Sequence, residues 1–155
     1  MQLLTFTVAG QTYAIESRRV IEVLPLVPAR PIPHTPEYVS GIFTYRGRLV
    51  PLVDLGVRLA AGRLQERLST RVIVVEYALP GHEPHQLGLI AENVISICSA
   101  EEAEASMPSL EFRDAPFLGR ILRISGRTIQ CLAVEHLLPA DVAGGLFPPT
   151  PSVPA

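Results

Sequence analysis

Apolar and polar side chains alternate along short segments of this chain with a period of two residues. Leu4, Phe6 and Val8 alternate with threonines, which is the pattern of a strand with one buried face. The run from residue 71 to residue 77 is almost continuously apolar, as expected for a strand in the middle of a sheet. Short strands of this kind, separated by glycine-containing turns and without a long amphipathic helix, predict an all-β barrel architecture.

The same pattern assigns the rest of the chain to further strands, hairpins and loops. Residues 17–24 predict a short helical turn that runs into a strand, because a serine precedes apolar residues at helical spacing. Five prolines between residues 25 and 36 disfavour both helix and ladder pairing, so this segment is predicted to be an extended connector. The remaining predicted elements are strands at 11–15, 87–91 and 94–98, hairpins at 41–54 and 117–134, and loops at 56–70 and 80–85.

A weak internal repeat suggests two related barrels. Residues 13–24 align without gaps on residues 87–98, and Arg46-Gly47-Arg48 resembles Ser125-Gly126-Arg127. Half of this chain, at fewer than about 80 residues, would supply little stability alone, so the halves are expected to share a hydrophobic core. The residues expected to be buried are Val20, Ile42, Leu49, Leu52, Ile73, Val75, Leu89 and Val94.

Composition and charge indicate which partners and which cellular compartment to expect. The net charge is −2, and all 13 lysine or arginine positions are arginine, so the chain lacks the basic balance that nucleic-acid binding favours. No apolar run reaches the ~18 residues of a membrane span, and no secretion signal is visible. Cys98 and Cys131 stand far apart in apolar contexts and are predicted to be free thiols. We therefore expect a cytoplasmic protein without nucleic-acid binding or membrane insertion.

The candidate catalytic and metal-binding residues form no recognisable motif. Asp54 is followed by Leu55-Gly56, not by the hydroxyl residue that orients an aspartic-protease dyad, and the second carboxylate of such a dyad has no matching motif. The segment 82–85 contains two histidines and a glutamate, but a proline interrupts it and helical zinc spacing is impossible. We therefore predict no catalytic site, no metal and no cofactor.

The most informative segment is Gly41–Leu55, which predicts two apolar strands joined through Arg46-Gly47-Arg48. Gly47 can adopt the positive φ of a tight hairpin turn. At the tip of such a hairpin, the Arg46 guanidinium can make a bidentate contact with a carboxylate of a partner. The alternatives are a solvated turn arginine and an internal ion pair with Asp54.

This segment resembles the signature of the CheW family, the coupling proteins of bacterial chemosensory arrays. Thr44-Tyr45 replaces the Asn-Leu that is usual in that signature, and the resemblance extends from Leu3 to about Leu138. The positions of the hairpin that match in register are Gly41, Arg46, Gly47, Pro51, Asp54 and Leu55.

The resemblance implies a fold and a domain organisation. It implies two small five-stranded SH3-like β-barrels packed around a shared hydrophobic core, with one subdomain at approximately 15–70 and the other made by the remainder. The domain would cover residues 1–143. Residues 144–155 would form a Pro-rich tail that is expected to be disordered.

The resemblance also implies a function and a surface. The expected function is a non-catalytic adaptor between the regulatory domain of a CheA-type histidine kinase and the cytoplasmic tip of a methyl-accepting chemotaxis receptor. Such an adaptor is recruited to membrane-associated receptor arrays and self-associates there. The family's matching arginine is tied to this coupling, which favours Arg46 as an interface residue. The candidate protein-interaction residues are Val20, Glu22, Ile42, Thr44, Tyr45, Arg46, Gly47 and Arg48.

Some segments look closer to the Wsp-type surface-sensing adaptors than to flagellar CheW proteins, which would connect the chain to cyclic di-GMP synthesis. These segments are 22–27, 43–48, 68–71 and the residues around 138 and 146–148. Two alternative functions stay open. One is a kinase regulatory barrel detached from its kinase, without receptor contact. The other is a small β-barrel that binds a ligand, which a perturbed titratable cluster in a pocket would favour.

Overall fold

The computed structural model describes residues 1–79 and 83–148, with the backbone alone for Ile95. This part of the chain forms ten β-strands, two short α-helices and three 3-10 turns, so the predicted all-β fold class is confirmed. The strands are β1 (Gln2–Val8), β2 (Gln11–Glu16), β3 (Val20–Pro25), β4 (Val39–Tyr45), β5 (Arg48–Asp54), β6 (Thr70–Tyr77), β7 (His85–Ser99), β8 (Ala105–Met107), β9 (Leu118–Ile124) and β10 (Arg127–Leu132). The helices are α1 (Leu55–Arg58) and α2 (Ala140–Leu146), and the 3-10 turns are Ser17–Arg19, Ala100–Glu102 and Val134–His136.

Strand β7 is long because two barrels share it. Residues 85–92 pair antiparallel with β6, and residues 92–99 pair with β1. Barrel one consists of β3, β6, the first part of β7, β5 and β4, whereas barrel two consists of the second part of β7, β1, β2, β10, β9 and β8. Asn93, where the partner changes, has a φ of +46°. The strand bulges at this residue and continues, so the two separate strands predicted for 87–98 are one.

Each barrel carries an outer hairpin that joins the sheet by a short parallel pairing. The β4–β5 hairpin is joined through β5 and β7, and the β9–β10 hairpin through β10 and β2. Barrel one extends beyond residue 70, where we expected a subdomain to end, because β6 and the first part of β7 complete it. The N-terminal strands β1 and β2 belong to barrel two. The subdomain boundaries of about 15–70 are therefore revised.

Barrel one closes through a bridge between the proline-containing connector and β4. The Arg30 N–H donates to the Ile42 carbonyl at 2.9 Å, and the Ile42 N–H donates to the Arg30 carbonyl at 2.9 Å. The neighbouring Gly41 has a φ of +147°, and a Cβ at this position would lie 2.2 Å from the Arg30 oxygen. The close approach of two backbones therefore requires a glycine at this position.

The hydrophobic core has three parts. One lies between the barrels and combines residues such as Phe6 of barrel two with Leu89 of barrel one. A second fills barrel one around Phe43, and a third fills barrel two around Leu122. Burying a side chain of this size stabilises the fold by about 1.5–3 kcal/mol. The part between the barrels confirms the predicted shared core.

Half of the residues expected to be buried are fully buried. Those are Leu52, Ile73, Val75 and Leu89. Val20, Ile42 and Val94 are half-buried. The prediction for Leu49 is wrong, because this residue is 73% exposed. Its side chain shares the outer face of the hairpin with Thr44, with which it pairs across the strands.

The ordered C-terminal part is longer than expected. Helix α2 runs to Leu146, and Phe147 is 8% exposed. The Phe147 ring stacks on Tyr77, with ring centroids 5.7 Å apart, and on His85 at 4.5 Å. These contacts correct the tail boundary at residue 144, since the packed chain reaches Phe147. Residues 149–155, the rest of the expected tail, lie outside the described residues.

Candidate protein-interaction site

The turn between β4 and β5 has a backbone conformation that glycine favours at both central positions. Arg46 has a φ of +48° and Gly47 a φ of +77°. Positive φ at both positions is the geometry of a two-residue hairpin turn that matches the twist of the strands. An arginine in the left-handed region costs about 1 kcal/mol. The turns at Ala9-Gly10 and Ser125-Gly126 share this geometry, so the backbone alone does not mark Arg46 as functional.

The Arg46 side chain is part of a cluster with Glu22 and Tyr45, which we call the Glu22 cluster. Glu22 Oε1 accepts a hydrogen bond from the Tyr45 hydroxyl at 2.7 Å and from Arg46 Nη2 at 2.6 Å. The Arg46 guanidinium carbon also lies 5.1 Å from the centre of the Tyr45 ring. The cluster joins β3 to the tip of β4, two segments that do not pair through their backbones.

The members of the Glu22 cluster differ in exposure. Tyr45 is buried, at 5% exposed, whereas the Arg46 side chain is 70% exposed and that of Glu22 35%. The hydrogen bond to the Glu22 carboxylate raises the pKa of the Tyr45 hydroxyl. Tyr45 and Glu22 therefore form the fixed base of the cluster, and the arginine is its solvent-facing part.

Asp54 has a structural role, and the predicted alternative of an Arg46–Asp54 ion pair is wrong. Asp54 Oδ1 accepts from the N–H groups of Gly56 at 2.8 Å and Val57 at 3.4 Å, and Oδ2 accepts from Leu64 N–H at 3.1 Å. The side chain caps α1 and fixes the loop that follows. Burial raises the pKa of Asp54, and these backbone hydrogen bonds oppose the rise.

An apolar groove runs along the outer face of the same hairpin. Ile42, Thr44 and Leu49 line one side of it, and the proline-containing connector, residues 28–33, lines the other. The groove has a volume of about 660 Å³. Leu49 is its most exposed apolar side chain among these. The groove thus places exposed apolar surface beside the charged tip of the hairpin.

Most of the candidate residues fall into two groups in barrel one. Glu22, Tyr45 and Arg46 form the cluster, and Ile42 and Thr44 line the groove. Gly47 contributes the turn conformation, and Arg48 is exposed beside it. Val20 does not join either group, because it packs against the core between the barrels.

Leu49 was predicted to be buried, although the hairpin sequence indicates that its side chain is exposed. A two-residue turn at Arg46-Gly47 fixes the register of the hairpin, so that Tyr45 pairs with Arg48 and Thr44 with Leu49. Residues that pair directly share a face of the sheet. The polar Thr44 therefore places Leu49 on the outer face.

Other titratable groups show no catalytic arrangement in the described part of the chain. No group of three metal-ligating side chains occurs among the described residues. His85 stacks on Phe147, and His82 lies outside the described residues. Both cysteines are free and half-buried, and burial raises the pKa of each thiol, which keeps them weakly nucleophilic. Among the described helices, none has the length and apolar character needed to cross a membrane.

The described residues form a double β-barrel with a charged hairpin tip and an apolar groove on barrel one. The model of the family described as CheW-like domain matches residues 2–142. The chain therefore belongs to the CheW-like domain family, and the expected resemblance is confirmed.

Individual relatives match over most of their length. The chemotaxis protein CheW of Rhizobium meliloti (strain 1021) is 25% identical over 143 residues, which cover 90% of this chain and 88% of that protein. The chemotaxis protein CheW of Klebsiella aerogenes is 28% identical over 143 residues, with 90% and 82% covered. The crystal structure of the scaffolding protein TtCheW from Thermoanaerobacter tengcongensis superposes with a TM-score of 0.74 at 26% identity, covering 91% of this chain and 89% of that one.

Proposed function

We propose that this chain couples a CheA-type histidine kinase to the cytoplasmic tip of a methyl-accepting chemoreceptor through the Glu22 cluster and the adjacent groove. Membership of the CheW-like family and similarity to a scaffolding protein support a non-catalytic adaptor of chemotaxis signalling. The observation that carries the choice of surface is the exposed Arg46, held by Glu22 at the tip of the signature hairpin.

The Glu22 cluster prepares Arg46 for a partner. In water, an exposed ion pair contributes only about 0–1 kcal/mol to folding. When a partner covers the tip and excludes water, a charge-assisted hydrogen bond at this position becomes stronger. The Tyr45 ring and the Glu22 carboxylate already restrict the arginine rotamers, so less conformational entropy is lost on binding.

The groove adds apolar area beside this charge. Leu49 and Ile42 offer apolar surface, and Arg46 and Arg48 at the tip offer positive charge. A partner that fits both would present an apolar side chain next to a carboxylate. Contact of this kind, apolar at the centre and charged at the rim, is usual for a specific but reversible interface.

An adaptor of this kind acts by positioning two partners and by coupling their conformational states. It therefore needs no reaction, cofactor, nucleic acid or membrane insertion. We place the protein in the cytoplasm, recruited to receptor arrays in which copies also associate with one another. A Wsp-type pathway is part of the proposal, motivated by segments such as 43–48 and 22–27.

The test uses the purified chain with a kinase regulatory domain and a receptor-tip fragment. Arg46→Ala is expected to weaken binding about thirtyfold, because truncation of an interface arginine costs ~2 kcal/mol. Its thermal unfolding should change little. The matched control is Arg67→Ala, since Arg67 is also exposed and its side chain bonds only to Gln65 among the described residues. The control should bind like the unaltered chain.

Unchanged binding by Arg46→Ala, or a large loss of melting temperature, would remove the interface role of this arginine. Binding of the kinase domain without the receptor fragment would support the detached regulatory barrel. Binding of neither partner would favour the ligand-binding barrel.

A further inference from the structure

Arg58, the last residue of α1, is a half-buried cation held by aromatic rings. Its guanidinium carbon lies 4.7 Å from the centre of the Tyr38 ring and 4.4 Å from that of Phe117. Its Nε donates a hydrogen bond to the Leu137 carbonyl at 2.7 Å. Burial lowers the pKa of Arg58, and no carboxylate of the described residues lies within ion-pair distance. Two ring faces and a carbonyl thus replace a counter-ion.

The residues around Arg58 are the bases of the two outer hairpins. Tyr38 precedes β4, and its carbonyl accepts from Asp54 N–H, at the end of β5, at 2.8 Å. Phe117 precedes β9, and its carbonyl accepts from Ala133 N–H, just after β10, at 2.8 Å. Tyr38 and Phe117 therefore occupy corresponding positions in the two barrels, and Arg58 lies between them.

The sequence spacing supports this correspondence. Arg58 and Leu137 are 79 residues apart. The same spacing separates Tyr38 from Phe117 and the turn residue Arg46 from Ser125. Arg58 therefore bonds to its own counterpart in the repeat. It lies at the junction where the two halves of the molecule meet.

The orientation of one outer hairpin relative to the other depends on contacts at the bases of the hairpins. The core between the barrels is built largely by β1, β6, β7 and the C-terminal segment, and it includes Val53 and Leu132 at the bases of the two outer hairpins. Among the described residues, the β4–β5 hairpin pairs with β7 over Leu52–Asp54 and bridges Arg30 at Ile42. The β9–β10 hairpin joins β2 at residues 130 and 131 and pairs with β8 through β9. The outer part of each hairpin packs on the core of its own barrel. The two hairpins meet only at their bases among the described residues, where Arg58 adds a polar and aromatic contact to the shared apolar core.

We propose that Arg58 is a positioning residue that fixes the β4–β5 hairpin, and with it Arg46, relative to the β9–β10 hairpin of barrel two. In the adaptor, this relation sets how partners bound at the Glu22 cluster and the groove are oriented relative to the rest of the molecule, and so relative to each other. That consequence rests on the function proposed above, whereas the geometry itself does not.

The geometry is tested by residual dipolar couplings of backbone amides in the full chain. One alignment tensor should fit β1, β6 and both outer hairpins in the unaltered protein. In Arg58→Gln and in Arg58→Lys, the amides at 44–48 and 125–127 should depart from the tensor that still fits β1 and β6. Arg58→Lys is included because lysine keeps the charge but not the planar group that stacks between two rings. Arg67→Gln is the control and should fit throughout.

If the Arg58 variants do not fold, Tyr38→Leu removes one ring face at a half-buried position and is expected to reorient the same amides. A single tensor that fits every folded variant would overturn the positioning role. So would departures spread evenly over all strands, since these indicate general loosening.

The consequence for coupling is measured by simultaneous binding of the kinase domain and the receptor fragment. The kinase domain and the receptor fragment should bind together to the Arg58 variants about tenfold more weakly than the two separately measured affinities predict. Unchanged joint binding with reoriented hairpins would overturn that consequence. If the unaltered chain binds neither partner, the proposed function fails, and the dipolar couplings still decide the role of Arg58.

Discussion

The two outer hairpins share a turn geometry but carry different side chains at their tips. The turns at Arg46-Gly47 and Ser125-Gly126 both have two positive φ angles. In barrel one the tip residue is an arginine bonded to Glu22. In barrel two the tip residue is a serine, and the charged pair nearby, Arg123 with Glu104 at 3.8 Å, lies between neighbouring strands.

The two halves of the repeat therefore share a turn geometry, whereas the charged cluster with Glu22 lies at the tip of the barrel-one hairpin. A tight turn with a glycine serves both hairpins equally well, because it depends on φ and not on the first side chain. A charged cluster needs a partner from another strand, and β3 supplies one only in barrel one. The candidate site is therefore a property of one hairpin in its context.

The largest effect is expected from separating the halves of the chain. Residues 1–68 lack β6 and β7, which barrel one needs, and residues 69–155 lack β1 and β2, which barrel two needs. Neither fragment should fold alone, because each would also lose the core between the barrels. The measurement is the amide dispersion of each fragment by NMR. A dispersed spectrum from either fragment would show that a barrel is independent of its neighbour.

A smaller effect is expected from Gly41→Ala, which tests the bridge between the connector and β4 in barrel one. The new Cβ would lie 2.2 Å from the Arg30 oxygen, and relieving this contact should cost about 3 kcal/mol of the free energy of unfolding. Denaturant titration gives the value. The control is Gly126→Ala, which has a φ of +77° but nothing within 4 Å of a Cβ, so only about 1 kcal/mol is expected. Equal costs at both sites would show that the bridge contributes nothing.

The smallest effect on folding is expected from Glu22→Gln. The Glu22 carboxylate raises the pKa of Tyr45, so a neutral glutamine should return that pKa towards about 10, as followed by the ultraviolet absorbance of tyrosinate. Because the folded pKa is the higher one, the contribution of this bond is complete below pH ~10 and lost as pH rises through the folded pKa.

Partner binding by Glu22→Gln and by Glu104→Gln compares the two barrels. Glu22→Gln should weaken binding of the kinase domain or the receptor fragment, because Arg46 loses its fixed position. Glu104→Gln breaks the exposed pair of barrel two and should change neither binding nor the Tyr45 titration. If Glu104→Gln weakened binding as much as Glu22→Gln, the site would not be confined to barrel one.

Local features of this chain could be predicted from the sequence. Alternation predicted most of the strands, and the turn residues predicted both outer hairpins. These features depend on neighbours in sequence. The pairing of Glu22 with Arg46 could not be predicted, because it spans 24 residues and depends on β3 lying beside the tip.

Features that depend on pairing between residues far apart in the chain also could not be predicted from the sequence. The break in apolar pattern at Asn93 indicated two strands, whereas a residue with positive φ lets one strand pass from barrel to barrel. Phe147 lies in a Pro-rich segment, and its burial depends on the rings of Tyr77 and His85. That the residues after Pro148 can be removed without harm stays a prediction.

The place of β1 and β2 in barrel two has a consequence for synthesis on the ribosome. These strands are synthesised well before their partners, because β1 pairs with residues 92–99 of β7 and β2 pairs with residues 130 and 131 of β10. At roughly 5–20 residues per second, the nascent hairpin waits on the order of ten seconds with Leu4, Phe6 and Val8 uncovered. During this interval β1 presents an uncovered apolar face to chaperones, and slowing translation should lengthen that exposure.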